Sequence, residues 1–350
     1  MDPREVLEFV AASSGAGEGE GLVHLAELPA RRARTRPIPD DLPASLRGRL
    51  AHLGIQQLYV HQTDMLEQVR AGRHVVVGTG TASGKTLAYQ LPVLETLLHD
   101  DKATALYLAP TKALTRDQLR KLRELKLPQV RAAVIDGDTP APERDAIRRT
   151  ANWVLTNPDL LHHSLLPGHR YWADFLHRLR YVVVDESHVS RGVFGSHVAL
   201  TLRRLRRLCE RYDSDPRFLL ASATIGNPGE HASALTGAAV TEVLRDGSPR
   251  GAVDVALWQP PFVDRDQGVR RSTLQVAADL LAALVGARTQ TLVFVKSRKG
   301  AELVASFAKD ALFQGEVVAA SGSDSSSGGE LIAAYRAGYL PEERRALEVA

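Results

Sequence analysis

A single cysteine, Cys209, stands in a chain of 350 residues, so no internal disulfide can form. It falls in the apolar register of a helical stretch, where a buried structural thiol is the expectation. No Cys/His cluster has zinc spacing. His162, His163, His169 and His177 lack any ligand pattern and read as surface residues. Aromatic residues are few, and Trp153, Trp172 and Trp258 are too scattered to form a stacking platform for bases. No apolar run approaches ~18 residues, so no membrane span is expected. The first residues lack the basic-then-apolar plan of a signal peptide, which makes a reducing cytoplasm the expected location. The net charge is only +3, so whole-chain charge does not demand a nucleic-acid partner. The positive charge is nonetheless clustered, in Arg31, Arg32, Arg34 and Arg36 and again in Arg203, Arg204, Arg206, Arg207 and Arg211. Each cluster fits either a phosphate contact or a solvated helix face.

What is present is ordinary globular material. Hydrophobic residues make up 44% of the chain, enough for two cores. From about residue 46 short apolar runs alternate with amphipathic segments. Strands are expected over 74–77, 105–109, 132–135, 153–156, 181–184 and 218–221. Each is short and apolar on both faces, as strands inside a parallel sheet are. Helical crossovers on both faces follow, giving a doubly wound α/β domain. The expected division is an N-terminal extension over 1–45, an α/β domain over 46–245, a connection over 246–270 and a second α/β unit over 271–350. The second unit should hold a helix over 274–285, a strand over 291–295, a helix over 300–311 and a further helix over 341–350. Residues 321–329 are a low-complexity run and read as a loop. About 80 residues is short for a complete doubly wound unit, so a fragment of a longer chain is expected.

Three local patterns carry chemistry. Thr79, Gly80, Thr81, Ala82, Ser83, Gly84, Lys85 and Thr86 follow an expected strand and open an expected helix. That is the setting of a phosphate-binding loop: small residues let backbone N–H groups close on phosphates at a helix N-terminus. Lys85 would reach the β and γ phosphates of ATP, and the Thr86 hydroxyl would ligate Mg²⁺. The usual first glycine is replaced by Thr79. About 100 residues later another apolar strand delivers Asp185 and Glu186 at its C-terminal end, where such sheets bind ligands. Asp185 would hold Mg²⁺ through its water shell, and Glu186 would position and activate an attacking water. The third pattern is Ser222, Ala223 and Thr224, again after an apolar run.

In this order the three resemble the superfamily 2 helicases. Asp185, Glu186, Ser187 and His188 match the D-E-x-H form of motif II, and Ser222 to Thr224 match motif III. Tyr59, Val60, His61 and Gln62 look like the Q motif, which implies that Gln62 reads the adenine edge. Tyr59 would stack on adenine or simply pack in the core. Residues 109–114 look like motif Ia, 136–139 occupy the place of motif Ib, and 156–159 look like the next DNA-contacting motif. Residues 291–298 look like motif IV, opening a second RecA-like domain. The resemblance covers roughly residues 55–350. It implies a RecA-like ATPase with DNA contacts at Pro110, Thr111, Lys112, Asp138, Thr139, Thr156, Asn157, Ser297 and Arg298. Thr111 and Thr156 also suit helix caps. Ser222, Thr224 and His188 would couple the ATP state to domain movement.

Residues 191–197 and 335–341 resemble a narrower branch, that of the SftH and MrfA helicases, related to the RecQ-like enzymes. This implies a 3′-to-5′ DNA helicase or translocase linked to repair, acting as a monomer on single-stranded or 3′-tailed DNA. Motifs V and VI would lie beyond Ala350, and the branch's cysteine-rich zinc region is absent. The resemblance therefore implies ATP binding but weak activity for this stretch alone. Two other classes remain: an RNA-remodelling ATPase, whose motif II ends in Asp where this chain has His188, and a nucleotide-gated binding module without unwinding activity.

Overall fold

The structure, a computed structural model, describes residues 3–13, 20–223, 225–313, 331–336, 338, 339 and 347. Two compact units are present, one Arg31–Arg250, the other Met1–Ala30 with Gly251–Ala350. The chain runs through α1 (Pro3–Ser13), β1 (Gly21–Leu28), β2 (Thr35–Pro37), α2 (Ala44–His52), β3 (Gln57–Tyr59), α3 (Val60–Arg70) and β4 (His74–Gly78). It continues with α4 (Lys85–His99), β5 (Thr104–Leu108), α5 (Lys112–Glu124), β6 (Ala132–Val134), α6 (Ala141–Thr150), β7 (Trp153–Thr156) and α7 (Pro158–Leu160). After a π-helical turn at Leu161–Leu165 come α8 (Ala173–His177), β8 (Leu179–Val184), α9 (Gly192–Arg211), β9 (Arg217–Ser222), α10 (Pro228–Thr236) and β10 (Val240–Val243). The remaining elements are β11 (Val253–Gln259), β12 (Phe262–Asp264), β13 (Val269–Arg270), α11 (Thr273–Gly286) and α12 (Arg298–Phe313).

In the unit Arg31–Arg250, seven strands form one sheet in the order β10-β4-β9-β8-β5-β7-β6. Every neighbouring pair is parallel. The side-chain alternation of a strand sorts the core into two layers. Val75, Val77, Ala105, Tyr107, Val183, Leu219 and Ala221 point to one layer, filled by Met65, Leu66, Leu91 and Leu94 from α3 and α4. Val76, Leu106, Leu108, Val182, Val184, Phe218 and Leu220 point to the other, filled by Val198, Leu202 and Leu205 of α9 and Leu235 of α10. Both faces are therefore dry, and each large side chain buried there contributes about 1.5–3 kcal/mol. Because the strands are parallel, their C-terminal ends share one edge.

Much of the clustered positive charge is used up inside this unit. Arg31 pairs with Asp246, and Arg36 with Asp64 and Glu67. Arg203 and Arg206 donate to backbone carbonyls at Ala234 and Gly237, and Arg204 contacts His162. Cys209 is buried in the second layer, and burial pushes its thiol up to about 11, as suits an inert packing group.

The other unit has β1 paired antiparallel with β11. The N-terminal extension thus supplies a strand, through a pairing between residues over 200 apart that no local pattern announces. Helices α11 and α12 pack through Leu281, Ala282, Val304 and Ala308. Arg336 and Tyr339 both reach Glu302 on α12. The strand expected over 291–295 does not form. A strand needs a hydrogen-bonded neighbour, and no ladder among the described residues includes these; Leu292 and Phe294 stand 82% and 91% exposed. The loop expected over 321–329 and nearly all of the helix expected over 341–350 lie outside the described residues. No described helix is long and apolar enough to cross a membrane.

Two glycines in the larger unit test the packing in opposite directions. A Cβ on Gly195 would lie 2.4 Å from the Ser190 carbonyl oxygen, whereas one on Gly48, inside α2, would meet nothing within 4 Å. Gly195→Ala is expected to lower stability by about 1–3 kcal/mol. Gly48→Ala is expected to raise it by about 0.5–1 kcal/mol, through helix propensity. Urea-unfolding midpoints of the two variants check both signs.

Candidate functional site

The loop between β4 and α4 is braced from within and from α3. Gly84 caps α4 with φ +84, and a Cβ there would come within 2.8 Å of Gln62 Nε2. Ala82 also sits in the left-handed region, at φ 58, which costs strain. Thr79 adopts no positive φ, which explains how it can replace a glycine. Its hydroxyl instead bonds Ser83 Oγ at 2.7 Å, cross-linking the two ends of the loop where both residues are buried. Gly80 keeps its α-carbon bare beside Asp246, and Thr81 and Ala82 form the exposed crest. Backbone N–H groups at the start of the 15-residue α4 then face the loop's mouth. Lys85 Nζ donates to the Thr79 and Gly80 carbonyls at 3.0 and 2.7 Å. Thr86 follows in the first turn of α4. Gln62 accepts from the Tyr59 N–H at 2.9 Å and donates to the Gly84 carbonyl at 3.0 Å, so it ties α3 to the loop. The Tyr59 ring stacks on His61 at 5.7 Å.

Two strands away from β4 in the sheet, β8 ends in Asp185 and Glu186 at the same edge. Asp185 Oδ1 accepts from the Glu186 N–H at 2.9 Å. Asp185 Oδ2 accepts from the Tyr89 and Tyr107 hydroxyls at 2.9 and 2.8 Å. Burial and the Asp185 charge raise both phenols above their ordinary range, so each stays a donor. Glu186 is held in the left-handed region at φ 49, a costly conformation for a residue with a side chain. His188 Nδ1 accepts from the Ala223 N–H at 3.1 Å and lies 3.3 Å from Glu186 Oε2. It thereby links the acidic pair to the end of β9. There Ser222 is fully buried, its hydroxyl donating to the Ala223 carbonyl at 2.9 Å. Thr224 lies outside the described residues.

Lys85 is the electrostatic centre. Burial lowers its proton affinity, while Glu186, Asp185 and Asp246 oppose that shift. Lys85 and the acidic pair therefore lie within electrostatic reach of one another. Asp246 was not singled out in the sequence, because only the folded chain brings it to the loop. Against the push of burial, the Ser248 hydroxyl and Arg31 hold its carboxyl down at about 2. Arg31 Nη2 reaches it at 2.7 Å. Tyr89 and Tyr107 were also missed; their apolar surroundings read as plain core.

The nucleic-acid candidates divide between the units. Thr111 caps α5 by accepting from the Leu114 N–H, and Asn157 caps α7 by accepting from the Leu160 N–H. Lys112 Nζ bonds Asp138 Oδ2 at 2.8 Å, both side chains being solvent-facing. Thr139 exchanges hydrogen bonds with Asp136. Thr156 is buried with a hydroxyl that has no partner, at the end of β7. Pro110 precedes this row after β5. Pro110, Thr111, Lys112, Asp138, Thr139, Thr156 and Asn157 all follow the C-terminal ends of β5, β6 and β7, on the edge that carries the loop. Ser297 and Arg298 belong to the other unit, where the Ser297 hydroxyl accepts from the Gly300 N–H at 3.0 Å at the start of α12.

The donor set suits a hard cation. The Thr86 hydroxyl and the Asp185 carboxylate would offer oxygen donors, and Mg²⁺ takes one or two carboxylates together with substrate phosphates and retained water. Among the described residues, no group of three or more His, Cys, Asp or Glu could hold a metal without such help.

The DEAD/DEAH box helicase family matches residues 59–231. The chain is 38% identical over 351 residues to the ATP-dependent helicase YprA of Bacillus subtilis, covering 99% of this chain and 45% of that one. It superposes on the DUF1998 helicase MrfA bound to DNA with a TM-score of 0.86 and 38% identity, covering 98% of this chain and 44% of MrfA. For MrfA bound to DNA and AMPPNP the TM-score is 0.85 at 37% identity, covering 98% and 46%. The chain thus spans less than half the length of each of these proteins.

The Asp246 pair gives a pH-dependent expectation. A folded-state pKa near 2, below the ordinary 3.8, contributes stability that is present above 3.8 and lost as pH falls toward 2. Because Arg31 is partly solvated, about 1–2 kcal/mol is expected from the pair. Asp246→Asn should therefore be less stable than the parent by that amount at pH 7. The gap should shrink between pH 4 and 2, as followed by urea unfolding.

Proposed function

Because the chain belongs to the superfamily 2 DEAD/DEAH box helicases, in the branch that contains MrfA, we propose that it is the ATP-binding core of a DNA helicase or translocase. One observation carries the reading. A strained, glycine-capped loop with Lys85, and the acidic pair Asp185–Glu186, share the C-terminal edge of one parallel sheet. In this reading the loop N–H groups and Lys85 grip the triphosphate of ATP, Lys85 giving up the Thr79 and Gly80 carbonyls for phosphate oxygens. Thr86 and Asp185 would hold Mg²⁺, which when bound would neutralise charge on the phosphates. Glu186 orients the attacking water and accepts its proton. Gln62, freed from Gly84, reads the adenine edge, with Tyr59 beside it. His188 and Ser222 with Thr224 pass the nucleotide state from β8 to β9. The first RecA-like domain lies within Arg31–Arg250, and part of a second within the other unit.

DNA contacts in this reading run along Pro110, Thr111, Lys112, Asp138, Thr139, Thr156 and Asn157, with Ser297 and Arg298 added from the second unit. Backbone N–H groups, hydroxyls and one ammonium hold phosphates without reading sequence. DNA is favoured over RNA because MrfA, so similar in sequence and fold, is bound to DNA. His188 in place of a second Asp at motif II favours the same choice. Branch membership further supports 3′-to-5′ movement and a repair role on chromosomal DNA in the bacterial nucleoid.

Two measurements test this. Mg-ATP binding by calorimetry should fall more than about 100-fold, about 2.8 kcal/mol, in Lys85→Ala; unchanged affinity would sink the nucleotide site. Single-stranded DNA should bind with a salt slope that Lys112→Ala lowers by about 0.7, one phosphate's worth. Single-stranded RNA binding as tightly as DNA would favour the RNA-remodelling class instead.

A further inference from the structure

Asp185 is held from three sides, and two of its three donors come from tyrosines outside every motif. Tyr89 lies one helical turn after Lys85 on α4, so the helix that presents the loop also reaches across to β8. Tyr107 comes from β5, the strand hydrogen-bonded to β8. The two rings are 6.1 Å apart, and both residues are essentially unexposed. A carboxylate oxygen offers two lone pairs. Both of those on Oδ2 go to phenols, whereas Oδ1 accepts only the Glu186 N–H and keeps one direction open.

We propose that Tyr89 and Tyr107 are positioning residues that lock the Asp185 carboxylate so that Oδ1 alone faces the divalent cation of the nucleotide. The inference rests on the nucleotide-site reading above. Two hydroxyls on one oxygen stop the carboxylate from rotating, since any turn about Cβ–Cγ breaks both bonds. They also stop it from swinging onto the ammonium of Lys85, which must stay free for phosphate. A carboxylate already shared among three donors is a weak direct ligand and a good acceptor for a metal-bound water. That matches Mg²⁺, which gives up its water reluctantly. Donors behind a metal ligand fix its orientation in this way across many sites.

The test uses the chain as it stands and the Mg²⁺ dependence of binding a fluorescent ATP analogue. Tyr89→Phe and Tyr107→Phe keep the rings in the core and remove one hydroxyl each. Each should raise the Mg²⁺ concentration for half-maximal binding about 10-fold, and the double variant should raise it toward 100-fold. Binding measured in EDTA should stay at the parent level in all three. In an Asp185→Asn background Tyr107→Phe should add nothing, because its effect passes through that carboxylate. A purely structural role would give the same shift with or without Asp185, and that result overturns the proposal. So does an unchanged Mg²⁺ dependence in both single variants, which decide the matter if the double variant fails to fold. A parent chain with no Mg²⁺-dependent binding overturns the nucleotide site itself, and this inference with it.

Discussion

Lys85 carries an ammonium group half-buried at the mouth of a parallel sheet, with Asp185, Glu186 and Asp246 acting on it. Burial lowers its proton affinity, and the three carboxylates oppose that shift. The surrounding fold makes that balance possible. The acids reach the lysine because β4, β9 and β8 run parallel and end at one edge. The strands are parallel because apolar side chains on both faces demand helices on both sides. In the structure Lys85 satisfies itself on the Thr79 and Gly80 carbonyls. Those are neutral partners and weaker than a phosphate would be.

Two of the five non-glycine residues with left-handed backbone among the described residues fall at the same place. Ala82 and Glu186 both carry left-handed backbone with side chains attached, and Gly84 takes the one position where a Cβ would strike Gln62. Each is over-determined by neighbours: the Thr79–Ser83 bond closes the loop, and the Asp185 and His188 contacts brace the turn after β8. Strain sustained by such bracing belongs to sites whose geometry matters more than their stability. The cap positions Thr111 and Asn157 show the opposite economy. There a polar side chain satisfies the backbone and still stands at the edge where a strand of nucleic acid would pass.

Local signals made the sheet readable in advance. Runs such as His74–Gly78 and Trp153–Thr156 are apolar on both faces, and a strand inside a doubly wound sheet has no other pattern to show. The loop and the acidic pair were readable because their chemistry fixes residue type at fixed offsets. What the sequence hid was long-range. The edge strand Val240–Val243 alternates weakly, since only part of it is buried. Tyr89 and Tyr107 look like core aromatics until the fold turns their hydroxyls toward Asp185. Asp246 sits far from the loop in sequence and close to it in space. The pairing of β1 with β11 joins segments over 200 residues apart in the chain. Residues 291–295 erred the other way: their apolar content read as a strand, but a strand is made by its neighbour and none of the described residues supplies one.

The most direct test of the account is a crystal structure of this chain with Mg²⁺ and a non-hydrolysable ATP analogue. The account predicts phosphates seated in the loop from Thr79 to Thr86, Lys85 Nζ moved off the Thr79 and Gly80 carbonyls onto phosphate oxygens, and the cation between Thr86 and Asp185. A nucleotide bound elsewhere, or Lys85 still on those carbonyls with the phosphates in place, would contradict it.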